Sequence, residues 1–251
     1  MAETGLETWG PDYPFPEGIV LPIDKPLGWT STDVVRKVRT LMRKLGHRNI
    51  KVGHAGTLDP LATGVLLVCV GRATKRVDAL QAEEKEYLAT IEIGATTPSF
   101  DLEHPVDARY PWEHITRERI EVVLEGFVGE QEQEPPLYSA KKLEGRRAYE
   151  YAREGEEVRM RKASVTIYSA CLEACGLPET PRAEVRIVCS KGTYIRSFAR
   201  DFGRRLGSGA HLTALRRVRS GGFRVEECVD LATLQDRLLR PVPDGGTKEV
   251  G

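Results

Sequence analysis

Asp59 is the residue of this 251-residue chain best placed to do chemistry. It stands in the run Val52–Lys75, VGHAGTLDPLATGVLLVCVGRATK, with His54 five positions before it and Pro60 directly after it. The proline ring fixes its own φ and pushes Asp59 out of the α region, so Asp59-Pro60 reads as a turn. Gly56 and Gly64 permit a tight bend or a close backbone approach, because no Cβ stands in the way. Val65–Val70 then supplies six consecutive apolar residues, the pattern of a strand buried on both faces. A polar loop carrying one acid, anchored on a rigid buried strand, can hold a carboxylate as nucleophile or base. On residue type alone, an aspartate before proline is usually just a turn former.

Other candidates sit farther along the chain. Tyr87 opens the alternating stretch Lys85–Ile93, whose Tyr87, Ala89, Ile91 and Ile93 share one strand face. A tyrosine there is more often core than site. Arg196 lies near the start of a helix whose apolar stripe is Ile195, Phe198, Ala199, Phe202 and Leu206. A cation at that end opposes the helix dipole, so a buried carboxylate partner is expected.

The elements around these residues are legible from periodicity and capping. Gly18–Ile23 reads as a strand. Thr30-Ser31-Thr32, with Asp33 in the first turn, starts a helix whose Val34, Val35, Val38, Leu41, Met42 and Leu45 form one face, and Gly46 stops it. Thr74 is expected to cap a short helix through Ala82, and Thr116–Phe127 a surface helix. A helix over Ala148–Arg153, strands over about Val158–Ala174 (with a break) and Ala183–Cys189, and a helix over Leu231–Leu239 complete the reading.

Composition sets bounds. The chain is 40% hydrophobic and 29% charged, as in ordinary globular proteins. Its longest apolar run is too short to cross a membrane, and its acidic, proline-containing start is no signal peptide. Five cysteines without framework spacing fit a reducing compartment. Cys171 and Cys175 lack a second ligand pair, so no zinc site is expected and both should pack as small apolar residues. The motif G-x-x-x-x-G-K-[ST] is absent, which argues against a nucleoside triphosphatase. Net charge is zero, with 37 basic and 37 acidic residues, yet the charges segregate. Lys191–Arg224 holds nine Lys/Arg against the single acid Asp201, while Arg76–Glu134 holds fifteen acids against five bases. Such a basic stretch is either a solvated face or a phosphate-binding surface.

The run Gly53–Leu66 matches G-H-x-G-T-L-D-P-x-A-T-G-V-L at every fixed position, and so resembles the central motif of TruB-type tRNA pseudouridine synthases. Four further stretches share the resemblance. They are Asp24–Ser31 (D-K-P-x-G-x-T-S), Lys85-x-Tyr87, Pro135–Tyr149 (P-P-x-Y-S-A-x-K-x-x-G-x-R-x-Y) and Gly192–Arg196 (G-T-Y-I-R). Gly209–Arg217 resembles the next family stretch. Gly94–Glu103 departs from the family pattern T-x-T-x-D-x-x-G, with Ser99 in place of a threonine and no glycine at the expected place after Asp101.

The resemblance implies an α+β pseudouridine synthase fold: a mainly antiparallel mixed sheet flanked by helices, with the active-site cleft across it. It implies that Asp59 is the catalytic carboxylate, that Arg196 pairs with it, and that Tyr87 stacks on the target base. Tyr194 becomes a second base-contacting aromatic and Leu215 an apolar pocket wall. His54 is implied where the flipped base is accommodated, although on residue type alone it would bond loop backbone. Lys25 is carried over as a substrate-side or supporting residue of the catalytic loop. The implied reaction turns the T-loop uridine of tRNA, position 55, into pseudouridine without metal or cofactor. The enzyme is expected to be cytoplasmic and monomeric, with the tRNA T arm as partner and no protein partner required. Residues 1–17 are expected to be a loose leader, 18–231 the catalytic domain, and 232–251 a short helix and tail in place of a full PUA domain. Two other readings stay open: the catalytic subunit of a guide-RNA-dependent complex, and a non-catalytic tRNA-binding or tRNA-folding protein.

Overall fold

In the computed structural model, which describes residues 9–138, 142–143, 146–147, 151 and 160–240, the chain is built on one mixed sheet. Its strands run β1 (Ile19–Lys25), β3 (Ala62–Val70), β12 (Ala210–Ser220), β4 (Lys85–Ile93), β11 (Arg182–Cys189), β10 (Ala163–Cys175) and β7 (Gly129–Gln133). β2 (Val52–Ala55) also pairs with β3, and β13 (Phe223–Arg224) with β12. Every strand pairing is antiparallel except that of β3 with β12. Short hairpin pairings join β5 (Ala95–Thr96) to β6 (Ala108–Arg109) and β8 (Lys142–Leu143) to β9 (Arg146–Arg147). The expected mainly antiparallel sheet flanked by helices is therefore present.

β3 shows why six apolar residues were needed. Leu66, Val68 and Val70 enter the main core, whereas Val65, Leu67 and Cys69 enter a smaller cluster under Ala73 and Leu80. Each fully buried valine or leucine is worth about 1.5–3 kcal/mol relative to exposure, so β3 is firmly held. α1 (Ser31–Lys44) begins with a capping box between Thr30 and Asp33 and buries Val34, Val35, Val38, Leu41 and Met42. α3 (Arg117–Glu125) is capped by Thr116, and α4 (Ile195–Arg205) buries Ile195, Phe198, Ala199 and Phe202. α5 (Leu231–Leu239) is capped by Asp230 and packs against β1 and α1.

Several expectations need correcting. Residues 9–17 are not loose: Trp9 and Phe15 are buried in the main core, with the ring of Phe15 against Tyr13 and His47. Thr74 does not cap a helix. Its hydroxyl bonds Gly71 O inside a 3-10 turn (Gly71–Arg76), and α2 (Val77–Ala82) follows. The break expected within Val158–Ala174 is a pair of bulges in one continuous strand. Cys171 does not pack as a small apolar residue; it is exposed on β10, while Cys175 lies half-buried against the core. Residues 139–141, 144–145 and 148–150, with most of the expected 148–153 helix, lie outside the described residues.

Candidate active site

The loop between β2 and β3 carries Asp59, and four separate donors hold its backbone. Ser31, the first residue of α1, accepts from Leu58 N at 2.9 Å and donates to Leu58 O at 3.1 Å. Gly28 N donates to Pro60 O at 2.9 Å. Lys25 Nζ donates to Pro26 O, Trp29 O and Pro60 O. Arg217 donates from Nε to Val65 O at 2.7 Å and from its terminal nitrogens to Gly56 O and Thr57 O. Gly56 (φ +84°) makes the bend. Gly64 (φ +100°) lets β12 come close, since a Cβ there would sit 2.2 Å from Arg217 O.

Lys25 is fully buried, and burial brings its pKa down to about 8. All its bonds go to backbone carbonyls and it lines neither cavity at the site. Its place is that of a support for the β1–α1 loop and the Asp59-Pro60 turn, not of a substrate contact.

The start of α4 meets this loop. Arg196 Nε lies 2.9 Å from Asp59 Oδ2, off the line of a good hydrogen bond, and 3.6 Å from Asp101 Oδ2. One terminal nitrogen donates to Ser99 O. The Arg196 and Asp101 side chains are buried, at 5% and 8% exposure, but that of Asp59 is 41% exposed and faces the cavity. Two carboxylates flank one guanidinium, which answers the cost of placing a cation at a helix N-terminus. Asp101 was missed as a site residue. Ser99 Oγ and the amide of Glu103 hold its Oδ1 at 2.6 and 3.0 Å. The signal was available in an arginine demanding a carboxylate and an aspartate inside an otherwise altered family motif. Gln133, also missed, fixes Tyr194 by accepting from its amide and donating to its carbonyl, at 2.8 and 3.1 Å.

A cavity of about 470 Å³, within the range of small-ligand sites, joins these parts. Asp59, Tyr87, Tyr194, Arg196, Leu215 and Arg217 line it, with Lys85 and Lys191 at its wall. A smaller apolar cavity of about 110 Å³ lies beside the same ion pair, under Leu27, Leu61, Leu102 and Leu215. Burial raises the Tyr87 pKa, against the opposing effect of Arg217, so the phenol keeps its proton at neutral pH. Burial lowers the Lys85 pKa to about 8, with Arg217 adding to the effect, and Lys85 Nζ bonds the carbonyls of Leu80, Gln81 and Glu83. His54 is partly buried on β2 and lines neither cavity. Its Nδ1 has no hydrogen-bond partner among the described residues, and burial followed by Arg217 lowers its pKa, leaving a neutral ring.

The basic stretch is largely spent inside the fold. Arg216 pairs with Asp24, Arg219 with Glu84 and Glu86, and Arg200 and Arg204 with Asp201. Arg205 lies over the Phe127 ring. Among the described residues, Lys191, Arg205 and Arg224 are exposed cations of that run with no carboxylate partner, so their charge is free to meet phosphates.

A carboxylate held open to a cavity by a guanidinium, between two tyrosines, suits attack on or proton removal from a sugar beside a planar base. Residues 42–195 match the TruB family pseudouridylate synthase N-terminal domain, and residues 196–242 the tRNA pseudouridylate synthase B C-terminal domain. The tRNA pseudouridine synthase B of Phocaeicola vulgatus is 55% identical over 225 residues, covering 89% of this chain and 94% of that protein. Its counterpart in Bacteroides fragilis is 56% identical over 219 residues, covering 87% and 93%. Among solved structures, a Cbf5-Nop10-Gar1 complex contains a chain 30% identical with a TM-score of 0.67; the match covers 93% of this chain and 60% of that one. With both family models matching residues 42–242 and a relative 55% identical over 89% of its length, the chain belongs to the TruB family of pseudouridylate synthases.

Proposed function

We propose that the protein converts the T-loop uridine of tRNA, position 55, to pseudouridine, with Asp59 as the residue that acts on the sugar. The C1′–N1 bond breaks, the base turns, and C1′ bonds to C5. The C5 proton leaves and N1 gains one, so the product is an isomer and no redox partner enters. The target base must leave the RNA stack to reach Asp59. Tyr87 and Tyr194 offer it aromatic faces, Leu215 an apolar edge, and His54 is read as filling space near the vacated position. Arg196 orients Asp59. The enzyme acts alone in the cytoplasm on the T arm. Among the described residues no helix is long and apolar enough to cross a membrane.

The observation that carries this reading is the Asp59–Arg196 pair opening onto a cavity with both tyrosines, in a chain that matches tRNA pseudouridine synthase B along nearly its whole length. The likeness to a chain solved inside a Cbf5-Nop10-Gar1 complex favours a second reading, a subunit of a larger assembly. Pseudouridine mapping on an unmodified tRNA transcript separates them. Modification of the T-loop uridine by the protein alone, lost in Asp59→Asn, is expected. No modification of bare tRNA would favour the assembly, and activity surviving in Asp59→Asn would remove that residue from the centre.

A further inference from the structure

Arg217 is 1% exposed, and its guanidinium donates to three backbone carbonyls: Val65 O, Gly56 O and Thr57 O. Among the described residues no carboxylate pairs with it, whereas Arg196, Arg216 and Arg219 all have one. Carbonyl dipoles satisfy donors without cancelling a unit charge. Burying a cation with no counter-ion costs several kcal/mol, more than a loop clamp alone would justify. The charge also stands on the wall of the larger cavity. Register explains its place: Arg217 lies opposite Gly64 on β3 and opposite Tyr87 on β4. Burial chiefly lowers the pKa values of Lys25, His54 and Lys85, with Arg217 adding to the effect, and burial raises that of Tyr87 against the pull of Arg217. Arg217 pairs in register with Tyr87 across β12 and β4, and its charge favours the ionised phenol there.

We propose that Arg217, partly through Tyr87, supplies the fixed charge that stabilises the electron pair taken up by the uracil ring when C1′–N1 breaks. The inference rests on the reading of the protein as a uridine isomerase. When that bond breaks, the pair stays on the ring, spread over N1 and the two carbonyl oxygens. The sugar is balanced either by a bond from the Asp59 carboxylate to C1′ or by loss of a C2′ proton to it. In both routes the base is anionic until C5 joins C1′. A preorganised cation in a low-dielectric wall lowers that barrier without reorganising.

The test is single-turnover rearrangement of two full-length tRNA transcripts, one with uridine and one with 5-fluorouridine at the target. Fluorine makes the ring a better anion, which needs less help. Arg217→Gln is expected to slow the uridine substrate about 10²–10³-fold, the magnitude for one lost electrostatic donor. Its tRNA dissociation constant should change little, and the slowing should shrink at least tenfold on the 5-fluorouridine transcript. Equal slowing on both transcripts, or a loss confined to tRNA affinity, overturns the proposal. Should Arg217→Gln fail to fold, Arg217→Lys retains the charge. Its ratio of rates on the two transcripts is expected to match the wild type, and a shifted ratio overturns the proposal. Wild-type protein inactive on the uridine transcript would instead overturn the parent reading.

Discussion

The two walls of the cavity use buried arginines in opposite ways. On the α4 wall, Arg196 meets two carboxylates, so its charge is consumed in orienting Asp59 and Asp101. On the β12 wall, Arg217 donates to carbonyls and meets no carboxylate among the described residues, so its charge survives. Both come from one basic stretch, and a residue count cannot tell them apart. The difference teaches that the potential of a site depends on which cations remain unpaired after folding, not on how many the segment contains.

Removing the neutralised arginine is the strongest way to break this contrast. Arg196→Met would leave the buried Asp101 and the part-exposed Asp59 without their shared cation, a loss of up to about 3–5 kcal/mol, carried mainly by the buried Asp101. Urea unfolding should report that loss, and pseudouridine formation should fall below detection even where the variant folds. Folding and activity near wild type would mean the pair does not organise the wall. Next in size is the clamp on the loop that both walls share. Ser31→Ala leaves Leu58 N and O without their partner, costing about 1–3 kcal/mol. The catalytic rate should drop through misplacement of Asp59 while tRNA affinity holds; an unchanged rate would show that the other donors suffice.

A pH-dependent effect sharpens the role of unpaired charge. Lys25 and Lys85 titrate near pH 8 in the folded protein against 10.5 in their ordinary state, chiefly because of burial. Between those values the unfolded chain binds more protons, so stability should rise as pH goes from about 8 to 10.5 and their penalty should be fully present below 8. Denaturant midpoints measured across that window should show the rise, and Lys25→Met should flatten it. A slope of opposite sign would place both ammonium groups in a far more favourable setting than the carbonyl cages described above.

Local signals made much of this readable. Thr30 and Asp33 announced the start of α1, the alternation in Lys85–Ile93 placed Tyr87 on the buried face, and six apolar residues declared β3 a two-faced strand. What stayed hidden depends on distant partners. Ala210–Ser220 carried a recognisable motif but no strand was read there, because its arginines resemble a surface run until β3 and β4 close over them. Asp101 escaped because its motif is altered around it, and its place relies on Ser99 and on Arg196 much later in the chain. Trp9 and Phe15 looked like leader residues because only a finished core gives them something to bury against.

The strand order β3–β12–β4 has a consequence for synthesis. β3 and β4 leave the ribosome in succession, yet in the finished sheet a far later strand lies between them. At about 5–20 residues per second, the gap between them stays unfilled for roughly ten seconds. During that interval two apolar strands with free edges coexist, and direct β3–β4 pairing is the competing product. β12 brings arginines to that slot, so the last strand to enter the centre of the sheet also delivers Arg217. Nascent chains stalled before residue 210 should therefore bind chaperones and lack catalytic competence, even though the Asp59 turn has already been made.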